Sequence, residues 1–116
     1  MTVHTMKLNH TPFARIANGS KTVEMRLNDE KRRRIAVGDR IRFTRADGEA
    51  TLTCRVVALH PYPTFADLYG AFSMTAIGYS PEEALTASPA DMDVYYPREE
   101  QEKYGVLGIE LQIIEQ

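Results

Sequence analysis

The strongest constraint on the fold is a tight-turn signal between two runs of alternating residues. Asp47-Gly48 is a strong signal for a β-hairpin, and apolar side chains alternate on both sides of it, in residues 40–44 and 50–60. The last apolar segment, residues 106–114, alternates in the same way and places on one side Leu107, Ile109, Leu111 and Ile113. Because successive side chains of a strand point to opposite faces, these segments predict strands that each bury one face.

Helix signals lie between the strands. Pro12 suits the first turn of a helix that ends near Gly19, and three further short helices or turns can begin at Thr64, Ser80 and Ser88. The expected order of elements is β-α-β-β-β-α-α-α-β. This order predicts an α+β fold, with a small, mixed and mostly antiparallel sheet or closed barrel flanked by helices, rather than a doubly wound parallel sheet.

Composition limits the kind of protein. The chain has 116 residues, of which 43% are hydrophobic and 26% charged, so we expect one globular domain over residues 1–116. No apolar run approaches the roughly 20 residues that a membrane span needs. Residues 1–10 carry no apolar segment of signal-peptide length. We therefore expect a cytoplasmic protein without a membrane partner, and the sequence leaves its oligomeric state open.

Cysteine and histidine are scarce. The single cysteine, Cys54, excludes an internal disulfide and a cysteine-based zinc site. Two of the three histidines, His4 and His10, fall in a terminus that we expect to be mobile, and His60 lies at the end of a strand. We therefore expect no metal site and no cofactor.

Charge is distributed unevenly along a chain whose net charge is only −2. Residues 26–45 contain eight basic and three acidic side chains, whereas residues 82–116 contain nine acidic and two basic. Within the basic part, the KRRR run of residues 31–34 could follow phosphates, with Arg32 and Arg33 as ligands, or could be a solvated loop.

The main candidate for chemistry is residues 19–26, with the sequence GSKTVEMR. On the expected strand Glu24 and Arg26 share a face with Thr22, and Lys21 can reach the same space. A lysine whose pKa is lowered by burial can act as a base or nucleophile, a glutamate can carry protons, and an arginine can bind phosphate. The alternative is a solvated strand face with paired charges, which is common on antiparallel sheets.

These residues resemble the signature of the ASCH domain, which is a helix, then G-x-K-x-x-E-x-R, a loop, and G-D-x-(apolar)-x-F. The first part is matched by Gly19, Lys21, Glu24 and Arg26, and the second by residues 38–43. Residues 56–68 and 104–109 also resemble the family. The resemblance implies a PUA-like β-barrel with a polar cleft that is lined by the motif residues and binds RNA.

Two functions follow from the resemblance. As a binding module for RNA or a nucleotide, the protein would hold phosphate with Arg26 and the basic loop, and would anchor a base with Lys21 and Glu24. Tyr104, just before the last strand, could stack a base at the mouth of the cleft or could simply pack. Apart from the two functions that the resemblance implies, the cleft could hold a peptide or a small metabolite.

As an enzyme, the protein would be a hydrolase with Lys21 as base or nucleophile and Glu24 as proton carrier. Some ASCH proteins resemble amidohydrolases that act on acylated cytidine nucleosides, and others resemble ribonucleases. The amidohydrolase pattern has a threonine three residues after the lysine, where this chain has Glu24, and a glutamate further on. We expect that second glutamate between residues 72 and 81, which contain none; Glu82 and Glu83 lie just beyond this range and do not match the pattern.

Overall fold

The computed structural model describes all 116 residues and contains five strands and three α-helices. The strands are β1 (Val3–Leu8), β2 (Val23–Leu27), β3 (Arg40–Arg45), β4 (Thr51–Tyr62) and β5 (Val106–Glu115). The helices are α1 (His10–Ala17), α2 (Phe65–Ala71) and α3 (Arg98–Tyr104). Short 3₁₀ helices lie at Arg32–Arg34, Glu83–Leu85 and Pro89–Val94. No helix has the length and hydropathy of a membrane span.

The strands form one curled sheet in the order β1-β3-β4-β5-β2. β1 runs parallel to β3, and the other three neighbouring pairs are antiparallel. The edge strands β1 and β2 do not pair with each other, so the sheet is a half-barrel. The predicted α+β class, with a mixed and mostly antiparallel barrel-like sheet, is confirmed.

Two apolar clusters lie on opposite faces of the sheet. The first packs α1 against the sheet and is built around Phe13, Ile41 and Phe43. The second packs α2 and the turn at Pro89–Val94 against the strands β2 and β5, and its centre contains Phe65 and Leu68. Burial of apolar surface is the main stabilising contribution to a domain of this size. The second cluster therefore holds β2 in place, and both clusters hold β5.

Two predictions for the strand ends are wrong. β1 already begins at Val3, so His4 lies in a strand rather than in a mobile terminus, and its Nε2 is 2.9 Å from Oδ2 of Asp39. β4 does not stop before Pro61 but continues to Tyr62. This end of β4 pairs only with β5, and proline is tolerated at such an edge because no second ladder needs its missing N–H.

Helix α3 was not predicted, although its ends carry ordinary signals. Pro97 is its N-cap, its first turn contains Glu99 and Glu100, and Gly105 ends it with a φ of 71°. Adding a Cβ at Gly105 would place it 3.0 Å from the carbonyl oxygen of Tyr62, so the residue must be glycine at this close approach. The residues of α3 are mostly charged and form no apolar stripe, so the spacing of apolar residues could not reveal this helix.

Candidate functional site

Strand β2 carries its charged residues on the inner face of the half-barrel. Its register with β5 places Glu24 opposite Ile109 and Arg26 opposite Leu107, and both of these apolar partners belong to the first core cluster. The other face of β2 packs into the second cluster. Both faces are therefore covered, so Glu24 is only 4% exposed and Lys21 only 7%. The alternative of a solvated strand face with paired charges is therefore wrong about solvation, although the charges are paired.

Glu24 joins the two cations of the motif. Its Oε1 lies 2.8 Å from Nζ of Lys21, and its Oε2 accepts from Nε and Nη2 of Arg26 at 3.0 and 2.8 Å. Burial alone would raise the pKa of Glu24, but the positive charges of Lys21 and Arg26 outweigh it and hold the pKa below its ordinary value. The three side chains therefore form a buried ion-pair network with one excess positive charge.

A tight loop holds Lys21 from the other side. A Cβ at Gly78 would lie 3.0 Å from Cδ and 3.3 Å from Nζ of Lys21, and the φ of +118° at Gly78 is one that side chains rarely adopt. Nη1 of Arg15 donates to the carbonyl of Gly78 and to Oε1 of Glu83, at 2.6 Å each. The loop at Gly78 therefore restrains Lys21, and Arg15 of α1 holds this loop in place.

The network forms part of the wall of a cleft of about 740 Å³. This size is within the ordinary range of small-molecule sites. The charged residues of the lining are the basic Lys7, Arg15, Lys21 and Arg26 and the acidic Glu24, Glu83 and Asp91. Opposite charges are therefore nearly balanced, which favours a ligand with both donors and acceptors over a simple polyanion.

The acidic cleft residues Glu83 and Asp91 are positioned by the caps that the sequence predicts at Ser80 and Ser88. Ser80 Oγ accepts from the amide of Glu83, whose Oε1 accepts from the amide of Ser80 at 2.8 Å. Ser88 and Asp91 form the same reciprocal arrangement at the start of Pro89–Val94. These caps turn both carboxylates toward the cleft.

Tyr96 packs against Phe65 of the second cluster, with ring centroids 6.1 Å apart. Sequence reasoning did not place Tyr95 and Tyr96 in the cleft. Both line the cleft, together with Tyr79. The hydroxyl of Tyr79 donates to Oδ2 of Asp91 at 2.7 Å and lies 2.6 Å from the hydroxyl of Tyr69. Burial raises the pKa of Tyr96 and of Tyr79, so these phenols stay neutral. No pattern of neighbouring residues predicts this tyrosine wall, formed by Tyr79, Tyr95 and Tyr96, because it depends on where the segment after α2 folds back.

The other predicted ligand residues do not line the cleft. Thr22 is exposed at the start of β2. Arg32 lies beside the cleft, and its Nη1 donates to Asp29 at 3.0 Å. Arg33 donates to the carbonyl of Tyr104 at 3.4 Å, away from the cleft. No group of three or more His, Cys, Asp or Glu side chains lies close enough together to hold a metal ion.

Comparison with known proteins identifies relatives over almost the whole chain. The family model for the ASCH domain matches residues 6–115. The crystal structure of the hypothetical protein PH0355 is 30% identical with a TM-score of 0.78, and the match covers 98% of this chain and 100% of that one. The solution NMR structure of protein PF0455 from Pyrococcus furiosus is 29% identical with a TM-score of 0.70, and covers 99% and 100%.

A more distant structure has the same fold. The crystal structure of a mutant of ZmASCH from Zymomonas mobilis has a TM-score of 0.62 at 16% identity, and the match covers 98% of this chain and 74% of that one. No curated protein sequence matches this chain.

Proposed function

This chain belongs to the ASCH domain family, and we propose that its cleft binds RNA or a nucleotide. The observation that carries the proposal is the buried network of Lys21, Glu24 and Arg26 in the cleft wall. Lys21 and Glu24 are buried and Arg26 is partly buried, and burial of charged groups costs more free energy than their mutual attraction ordinarily returns. Such an arrangement is typical of a functional site, where the charges meet a ligand. The general association of the family with RNA binding supports RNA as the ligand.

The two cations keep hydrogen-bond donors for a ligand. An ammonium has three N–H donors, of which Lys21 directs one to Glu24. Arg26 uses Nε and Nη2 for Glu24 and for the carbonyl of Lys7, which leaves the two donors of Nη1. These N–H groups suit phosphate oxygens or the carbonyl oxygens of a base.

The tyrosine wall supplies a stacking surface on the other side. Tyr95 is 64% exposed at the edge of the cleft, and Tyr96 lies beside it. Stacking of an unpaired base on an aromatic ring contributes about 1–3 kcal/mol per base. A single-stranded nucleotide between the network and these rings would therefore be held by both charge and stacking.

Binding of a short RNA tests this proposal. We would measure fluorescence anisotropy of a labelled, single-stranded RNA of eight nucleotides with the wild type, Lys21→Met and Lys103→Met. Each variant removes one ammonium, but Lys103 lies on α3 and does not line the cleft. Loss of a charge-assisted hydrogen bond of about 1.5–3 kcal/mol predicts at least a tenfold weaker complex for Lys21→Met. Lys103→Met should bind like the wild type. Equal affinity of all three proteins would contradict the proposal.

A hydrolase is the second candidate, and the position of Glu83 favours it. Glu83 is far from the motif in sequence, yet it lines the same cleft and is linked through Arg15 to the loop that holds Lys21. Its carboxylate could carry protons in the hydrolysis of RNA or of an N4-acylated cytidine, with Lys21 as base or nucleophile. Lys21 would first have to leave its ion pair with Glu24, which also stands where the amidohydrolase pattern has threonine.

Product analysis separates the two candidates. The wild type, Lys21→Met and Glu83→Gln would be incubated with the same RNA and with N4-acetylcytidine, and products identified by mass spectrometry. A product that only the wild type forms would establish the hydrolase. RNA binding without product would leave the binding module.

A further inference from the structure

A second groove runs along the seam between the two edge strands of the half-barrel. This seam groove has a volume of about 450 Å³ and is lined by Thr5, Met6, Lys7, Arg26, Lys31, Arg32 and Thr44. It lies where β1 and β2 face each other without pairing, and Nη2 of Arg26 crosses the gap to the carbonyl of Lys7 at 3.1 Å. Lys7 and Arg26 also line the cleft, so the two depressions are neighbours that share these two residues.

The charge of the seam groove differs from that of the cleft. Its lining contains four basic side chains and no carboxylate. Arg32 is paired with Asp29 and Arg26 with Glu24, whereas Lys7 and Lys31 take part in no ion pair. Like charges gathered in this way create a positive potential that attracts an anion.

Unused hydrogen-bond donors point to the same kind of ligand. Nε of Arg32 makes no hydrogen bond within the protein, which is unusual because buried polar atoms are almost always paired; it is covered by protein, so the guanidinium would have to turn for this N–H to reach a ligand in the groove. Nη1 of Arg26 is likewise without a protein acceptor. The hydroxyls of Thr5 and Thr44 add further neutral donors to the lining. An oxyanion with several acceptor oxygens fits this set.

We propose that the seam groove binds a backbone phosphate of RNA adjacent to the nucleotide in the cleft, so that the site holds at least two successive nucleotides. This inference rests on the proposed function of the cleft. Arg26 lies between the two ligand units and can donate to both. The cleft selects a base by stacking and hydrogen bonds, and the groove adds affinity that depends on salt but not on sequence.

A double variant tests the groove. Lys7→Gln/Lys31→Gln removes two exposed charges that make no ion pair, and the carbonyl of residue 7 remains for Arg26. The matched control, Arg98→Gln/Lys103→Gln, removes two positive charges from α3, outside both depressions. For single strands each lost phosphate contact lowers the slope of log K against log salt by about 0.7. Because the groove holds one phosphate, the double variant should lose about 0.7 in slope, so its loss of affinity relative to the wild type should be roughly fivefold larger at 0.1 M salt than at 1 M.

The same RNA is titrated into the wild type, Lys21→Met and the two double variants, so that each proposal fails separately. Loss of affinity and slope in Lys7→Gln/Lys31→Gln, with the α3 control unchanged, is the result we expect. An unchanged slope in this variant, while Lys21→Met weakens binding, overturns the groove and leaves the cleft. Loss in the groove variant alone overturns the cleft as the nucleotide site, and with it the site for two successive nucleotides. A wild type that binds no RNA overturns both.

Discussion

The burial of Glu24 between two cations leads to a prediction about stability. In the wild type its carboxylate compensates one of two positive charges, the buried Lys21 and the partly buried Arg26. Glu24→Gln keeps the shape of the side chain and removes that compensation, so two cations remain in a site whose side chains are almost fully covered. Breaking a buried ion pair in this way costs about 3–5 kcal/mol of unfolding free energy.

Lys21→Met is the variant to compare with Glu24→Gln, because it leaves Glu24 and Arg26 as an ion pair without net charge. Glu24 still accepts both hydrogen bonds from Arg26. The variant loses one hydrogen bond to a charged group, about 1.5–3 kcal/mol, and this loss is partly offset because an ammonium is no longer buried. The double variant Glu24→Gln/Lys21→Met should be more stable than Glu24→Gln alone, since it removes one of the two uncompensated charges.

Urea unfolding at pH 7, followed by circular dichroism, measures these differences. Thermal unfolding gives a second measure: for a chain of this length about 1 kcal/mol corresponds to roughly 4 °C in Tm, so Glu24→Gln should melt about 12–20 °C below the wild type. The reasoning is refuted if Lys21→Met is destabilised as much as Glu24→Gln. It is also refuted if the double variant is less stable than Glu24→Gln.

Three further perturbations have defined outcomes. Gly78→Ala should cost about 1–3 kcal/mol in urea unfolding and weaken RNA binding, because its Cβ would meet Lys21 at a strained φ, whereas Gly70→Ala, with open space around it, should do neither. Burial raises the pKa of the Cys54 thiol to about 11, so the native protein should not react with a disulfide reagent at pH 8 and should react once urea unfolds it; rapid native labelling would contradict the burial. The hydrogen bond with the β1 histidine and those from two backbone amides lower the pKa of Asp39 from 3.8 to about 2, so its contribution is present above pH 4 and lost as the pH falls toward 2. Urea midpoints of Asp39→Asn should therefore fall less steeply than those of the wild type over this range, and an equal slope would argue against the prediction.

Local patterns located most of the fold. Asp47-Gly48 marks the hairpin between β3 and β4 as predicted; the connection is residues 46–50, and Gly48 has a φ of 78°. The alternation of β5 correctly placed Leu107, Ile109 and Leu111 in one core cluster. Such features depend on neighbours in sequence, so periodicity and turn chemistry are sufficient to find them.

The site depended on contacts that periodicity does not contain. Alternation in β2 separated the charged from the apolar residues, but it could not show that the sheet curls and encloses the charged face. The burial of Glu24 and the cleft position of Tyr95 follow from distant segments that fold over β2. The seam groove was equally hidden, since Lys7 and Lys31 come together only because β1 and β2 form the two edges of the half-barrel.

The most direct test of the central claim is a crystal structure of the protein with a single-stranded RNA trinucleotide. We predict that oxygen atoms of the RNA lie at hydrogen-bonding distance, about 3 Å, from Nζ of Lys21 or Nη1 of Arg26. A base should lie against Tyr95 or Tyr96, and the next phosphate in the seam groove. RNA bound on another surface, with neither Lys21 nor Arg26 in contact with it, would contradict the account.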